Sequence, residues 1–305
     1  GQGYDDVSSG DGEVYIYFSE GPASFVGEHD LLYEAPDVVI KGGNNRPDEV
    51  AAGWITGSES HFGEQIAVGD LNKDGYDDLI VSATEISLLE QPFPFRAIGG
   101  YGEIHIFYGR PQARWPAEID ARNECDVLWR GEHEADKLGT NLDLGDFDND
   151  GYMDIIAGAP GRDDQMVPKY DNVSRGGAYL VFGQDDMSVL NDTRWCGAGA
   201  PGLDPSDLAI GRWIQAAGVE GRGGSGTALG DINGDGYDDI VIGTPKDIGG
   251  SYANSGGVDV VIGRADRSTL APMLNVNTSS NLTIYGPGSK DEFGYWLDTG
   301  DIDGD

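Results

Sequence analysis

The chain is 305 residues long, contains 49 glycines, and sets 19 Lys and Arg against 54 Asp and Glu for a formal net charge of −35. Nucleic acid and anionic membrane surfaces are disfavoured as partners on that charge, because phosphate contacts need a basic surface. So much carboxylate must be solvated, screened or neutralised by bound cations, and glycine far above the roughly 7% of average usage points to tight turns between short strands.

The N-terminal GQGYDDV has no basic stretch followed by an apolar segment, so no signal peptide is expected there, and no run of 18 or more apolar residues is present to span a membrane. DGEVYIYF from Asp11 and DVVIKG from Asp37 are the first expected strands. HFGEQIAVGDLNKDGYDDLIVSAT from His61 supplies two more around an aspartate-rich loop, and YGEIHIFYG from Tyr101 and DVLWRG from Asp126 follow. The same order returns in KLGTNLDLGDFDNDGYMDIIAGAP from Lys137, GGAYLVFG from Gly176 and WIQAAG from Trp213. It returns again in GSGTALGDINGDGYDDIVIGTP from Gly224, GGVDVVIG from Gly256 and LTIYG from Leu282, and EFGYWLDTGDIDGD from Glu292 opens the pattern once more.

β-branched and aromatic residues dominate these runs, and Glu103, Ile104, His105 and Ile106 alternate as a strand does. The first aspartates of the loops, Asp70, Asp146, Asp231 and Asp301, recur every 70 to 85 residues. Four short antiparallel strands per period make an all-β chain of β-propeller blades. A two-sheet sandwich is the alternative, but sandwiches do not repeat their sequence at fixed intervals. The expected domain is a propeller over 1–305, with blade repeats at about 1–60, 61–136, 137–222 and 223–291 and the start of a further blade at 292–305. That makes it part of a larger ring, or one period of a longer array.

The complete loops read D-x-[DN]-x-D-G-Y-x-D. Side-chain oxygens at positions 1, 3, 5 and 9 come from Asp70, Asn72, Asp74 and Asp78, then Asp146, Asp148, Asp150 and Asp154, then Asp231, Asn233, Asp235 and Asp239. Tyr76, Tyr152 and Tyr237 at position 7 are expected to give a backbone carbonyl, and Asp301, Asp303 and Asp305 begin a fourth loop. Oxygen-only ligands on a flexible loop suit Ca²⁺ better than Mg²⁺, so at least three structural calcium sites are expected. Two carboxylates about 4 Å apart repel by roughly 4 kcal/mol at an effective dielectric of 20, so three in one loop call for a cation. Position 12 is Val81, Ala157 or Ile242 where an EF-hand has Glu, and the flanks are strands.

With Phe62-Gly63, Phe293-Gly294 and Gly158-Ala159-Pro160 around these loops, the chain resembles the FG-GAP repeats of integrin α-subunit propellers and related bacterial surface proteins. Leu138-Gly139, Ser225-Gly226, Ser82-Ala83-Thr84 and Gly243-Thr244-Pro245 depart mildly from that pattern. The resemblance implies structural calcium, a ring of about seven blades, and ligand recognition on the face opposite the calcium loops. Residues 84–100, 160–176 and 244–256 are expected there, with Phe93, Phe95, Arg96, Arg162 and Tyr170 as candidate anchors. Phe93 and Phe95 read equally well as caps on the blade core. The connections 110–124, 184–208 and 264–281 are expected on the calcium-loop side.

Sequons at Asn172, Asn191, Asn277 and Asn281 favour glycosylation and, with the resemblance, an extracellular or cell-surface location. Cys125 and Cys196 read either as a disulfide stapling two blades or as two buried thiols. Catalysis finds little support. His29, His61, His105 and His133 are scattered, and no G-x-S-x-G, P-loop or dinucleotide fingerprint stands out. The expected function is an adhesion or ligand-binding module for a protein or glycan, without membrane insertion by this segment. The alternatives are a subunit of a surface layer or fibre, contacting copies of itself, and the propeller of a secreted hydrolase or lyase.

Overall fold

A computed structural model describes residues 12–19, 35–42, 60–85, 88–90, 96–98, 100–131, 135–162, 175–192, 211–216, 222–245 and 255–300. Strands β1 (Glu13–Ile16) and β2 (Val38–Lys41) precede β3 (Phe62–Gly69), β4 (Asp78–Ala83), the short hairpin of β5 (Leu88–Glu90) and β6 (Arg96–Ile98), and β7 (Glu103–Phe107). Next come β8 (Glu118–Asp120), β9 (Val127–Arg130), β10 (Leu142–Gly145), β11 (Asp154–Gly158), β12 (Gly177–Val181) and β13 (Gly211–Gln215). The last are β14 (Thr227–Gly230), β15 (Asp239–Thr244), β16 (Gly257–Val261), β17 (Met273–Asn275) and β18 (Leu282–Tyr285).

Three sheets share one antiparallel order: β3-β4-β7-β9, β10-β11-β12-β13 and β14-β15-β16-β18. These are propeller blades, called here the second, third and fourth. The first is represented by β1 and β2, which stand where β7 and β9 stand in the second.

The two-residue period of a strand decides where the core lies. In β11, Ile155 and Ala157 pack towards the second blade, with Ile80, Ile104, Ile106 and Trp129, while Ile156 packs towards the fourth, with Ile240 and Ile242. In β12, Tyr179 and Val181 face one way, Ala178 and Leu180 the other. Each blade thus divides its side chains between two interfaces, and the hydrophobic core is a series of seams between blades. Both faces are covered, so β7, β11, β12 and β16 are buried at every residue, including Glu103, His105, Asp154 and Asp259.

The FG and GAP signatures meet at these seams. Gly158 lies so close to the fourth blade that a Cβ there would stand 2.0 Å from the Gly224 carbonyl oxygen. Gly243 would place one 1.8 Å from the carbonyl oxygen of Gly294. Only glycine permits that backbone approach.

One feature departs from the four-strand expectation. The connection between the third and fourth strands of a blade reaches back over its predecessor. β8 pairs parallel with β2, and β17 pairs parallel with β13, so the outer edges of the first and third blades each gain a strand from the next blade. Both added strands end in a one-turn helix capped by a side chain. Asp120 accepts from the Arg122 and Asn123 N–H groups, and Asn275 from Asn277 N–H. On the second blade the short 3₁₀ segment Met187–Asp192 brings Met187 and Leu190 against Trp129 and Val127. Edge strands with unpaired amides are covered in this way.

Candidate metal centre

The aspartate loops join the first and second strands of their blades with one hydrogen-bond frame. The position-1 carboxylate takes the backbone N–H of positions 5 and 6. In the second blade Asp70 Oδ1 accepts from Asp74 at 3.1 Å and Oδ2 from Gly75 at 3.0 Å. Asp146 accepts from Asp150 and Gly151 at 3.0 and 2.8 Å, and Asp231 from Asp235 and Gly236 at 3.1 and 2.7 Å. The position-5 carboxylates, Asp74, Asp150 and Asp235, accept from Tyr76, Tyr152 and Tyr237 N–H. Position 6 has positive φ in all three loops, at Gly75, Gly151 and Gly236. So does position 4, where Lys73, Asn149 and Gly234 stand, and this the sequence reading did not single out.

Position 9 anchors the frame. Asp78, Asp154 and Asp239 are each 0% exposed. One oxygen accepts from the position-2 N–H (Leu71, Phe147 or Ile232), and the other from the glycine after the third strand (Gly109, Gly183 or Gly263). Burial pushes the Asp78 carboxyl up to about 6 and the Asp154 carboxyl to about 8, with Asp148 and Asp146 adding repulsion at Asp154. Asp239 is raised for the same reason. Each oxygen of Asp78 and Asp154 keeps a second lone pair for a cation, whereas Asp239 Oδ2 also accepts from Asn233 Nδ2 at 3.4 Å.

In the third blade, ligand oxygens of Asp146, Asp148 and Asp154 lie within 4.8 Å of one another. Asp148 is 6% exposed, and its Oδ1 is buried without a hydrogen-bond partner among the described residues. An all-oxygen set with an unsatisfied buried carboxylate oxygen fits a hard divalent cation. Consecutive loops also touch. Met153 N–H donates to the Asp70 carbonyl at 3.3 Å, and Asp238 N–H to the Asp146 carbonyl at 3.2 Å, so position 8 of one loop is bonded to position 1 of the loop before it. Lys73 donates to the Asp150 carbonyl and sits 4.0 Å above the Tyr152 ring.

Other expected site residues are placed unevenly. Asp301, Asp303, Asp305, Phe93, Phe95, Tyr170, Asn172 and Cys196 lie outside the described residues. Arg96 is in β6 and Asn191 in the turn 187–192, with their side chains not described. Cys125 is half-buried against the seam between the first and second blades. Asn277 and Asn281 are exposed, and the Asn281 side-chain oxygen accepts from Ile262 N–H at 3.1 Å. Arg162 lies over two aromatic rings, 4.8 Å from that of Tyr179 and 4.2 Å from that of Trp213. The Tyr179 hydroxyl beneath it is buried with no hydrogen-bond partner among the described residues.

Sequence reasoning missed a buried ion cluster. Glu103 Oε1 accepts from Arg122 Nη2 at 2.9 Å and Arg130 Nε at 2.7 Å, with His105 Nε2 3.5 Å from Oε2. Burial opposes ionisation of Glu103, but the two arginines outweigh it and hold the carboxyl well below its usual range. Arg122 and Arg130 lie 19 and 27 positions beyond Glu103, and the i, i+2 pair Glu103 and His105 marked only a strand.

Blades of four antiparallel strands, joined at their first hairpin by a carboxylate loop, define a propeller-type repeat protein. The FG-GAP repeat family matches residues 62–85, 138–181 and 223–261, and the chain carries FG-GAP repeats there. Human phosphatidylinositol-glycan-specific phospholipase D is 24% identical over 248 residues, covering 81% of this chain and 26% of that protein. Integrin alpha-5 of Xenopus laevis is 27% identical over 191 residues, covering 60% of this chain and 15% of the integrin. Human integrin alpha-IIb is 33% identical over 124 residues, 40% of this chain and 10% of the integrin. The chain therefore spans about a quarter or less of the length of these relatives. No helix among the described residues is long and apolar enough to cross a membrane.

Proposed function

We propose that this chain is a calcium-stabilised extracellular propeller segment that binds a protein or glycan and is not itself a catalyst. The observation that carries the calcium reading is the hydrogen-bond frame common to three loops, which collects carboxylates around one point and in the third blade leaves Asp148 Oδ1 buried without a partner. Asp70, Asn72, Asp74 and Asp78 with the Tyr76 carbonyl would hold one ion, and the corresponding residues to Tyr152 and Asp154, and to Tyr237 and Asp239, two others. The ion supplies charge neutralisation and ties the first hairpin of each blade to the end of its third strand. The integrin relatives support a ligand-binding, cell-surface role, and Arg162 over Tyr179 and Trp213 is an anchor of the type binding faces use.

The test is a thermal melt with calcium and with a chelator. Calcium is expected to raise the melting temperature by many degrees, since a ligand that binds only the folded state stabilises it by mass action. Identical melts in both would remove the calcium reading. A second reading rests on the phospholipase D similarity, which covers most of this chain. In that reading the segment is the propeller of a secreted hydrolase, and a phosphodiesterase assay on a glycolipid-anchored substrate separates the two.

A further inference from the structure

The three loops do not carry equal charge. The second- and fourth-blade loops hold three ligand carboxylates and an asparagine at position 3, Asn72 or Asn233, whereas the third-blade loop holds four, with Asp148 at that place. The loop with the extra carboxylate is the one that receives an arginine. Arg267, from the 3₁₀ turn Arg267–Thr269 of the fourth blade, sets Nη1 3.1 Å from Asp148 Oδ2 and 3.6 Å from Asp150 Oδ2. Among the described residues, neither of the other loops has a Lys or Arg ion-paired to its ligand carboxylates.

The arginine is held in place from three sides. Its guanidinium lies 4.7 Å from the centre of the Phe182 ring, and its backbone carbonyl accepts from Arg212 Nη2 at 3.0 Å. Asp266 caps the turn by accepting from Ser268 N–H, and Leu270 just beyond is buried beside Phe147 and Phe182. Since Arg267 engages Oδ2 of Asp148, the other oxygen, Oδ1, is left buried and unpartnered beside Asp146 and Asp154.

We propose that Arg267 is the positioning and charge-compensating residue of the third-blade cation site. It cancels the fourth ligand carboxylate, so that this set of ligand side chains has the same net charge as the other two, and it turns Asp148 so that one oxygen faces the ion. Because Arg267 belongs to the next blade, the site is complete only when the fourth-blade connection is seated. This rests on the calcium reading above.

The experiment is a double-mutant cycle on the full chain, melted in chelator and in saturating calcium, with site occupancy followed by terbium luminescence. Arg267→Gln is expected to lower the melting temperature in chelator by roughly 2–4 °C, and by less in calcium, where the ion takes over the neutralisation. Adding Asp148→Asn returns that loop to three carboxylates and an asparagine, and is expected to recover most of the loss in chelator. Arg267→Lys, which keeps the charge but loses the planar guanidinium held over the Phe182 ring, is expected to keep the chelator stability and to weaken terbium binding at this site several-fold. Equal losses for Arg267→Gln in both conditions, with no recovery from Asp148→Asn, would overturn the proposal and leave the calcium reading intact. Absence of any calcium or terbium response in the unaltered chain would overturn both.

Discussion

Asp154 is the residue where folding and the proposed ion binding oppose each other. It is fully buried and accepts Phe147 and Gly183 N–H, yet burial raises its carboxyl to about 8. Its folded value lies above the value near 3.8 of an unfolded aspartate, so between those limits the folded chain binds the extra proton. Calcium-free stability should therefore fall as pH rises from about 4 to 8, with Asp78 contributing over the part up to about 6. Calcium should flatten that slope and release protons near pH 7. Melting temperature against pH in chelator, and calorimetric heats in buffers of different ionisation enthalpy, measure the two effects. A chelator profile that rises steadily across pH 4–8 would contradict this account.

At the scale of elements, the strands that cross between blades matter most. Leu274 lies in β17, 5% exposed, among Phe147, Leu180 and Ile214 of the third blade and Ile240 of the fourth. Leu274→Ala should cost about 2–5 kcal/mol and raise amide exchange in β13 as well as in its own blade. Unchanged exchange in β13 would mean that the parallel pairing contributes no protection.

The blades themselves were legible in sequence because each strand is a run of apolar residues and each loop repeats its aspartates and glycine. The crossing strands were not. Glu118-Ile119-Asp120 and Met273-Leu274-Asn275 are three residues long with a single buried apolar side chain each. Nothing local reveals that their amides are met by a strand 79 or 60 positions earlier. The loops gave away their candidate metal ligands but not Arg267, which lies 119 positions after Asp148 and opens a 3₁₀ turn that Gln112 opens in the second blade. The burial of position 9 was likewise invisible, since it depends on the glycine ending the third strand.

At the scale of the whole molecule, no blade has a private core among the described residues. Trp129 of the second blade, and Tyr179 and Trp213 of the third, stack in one seam, with ring centres 5.5 and 4.7 Å apart, and neighbouring loops exchange backbone hydrogen bonds. Nearest-neighbour interfaces then carry much of the stability of the array. On heating in calcium, the tryptophan signal and the β-sheet circular dichroism should fall together. Two well-separated transitions would show blades that melt singly.

The backward reach of β8 and β17 sets an order of events during synthesis. β2 is complete at Lys41 but receives its outer neighbour only when Glu118 has left the ribosome, and β13, finished at Gln215, waits for Met273. At ordinary elongation speeds that is a delay of roughly 3–15 s. A growing chain therefore always trails one unsealed blade behind its newest residues, and that rim is where a chaperone would find purchase.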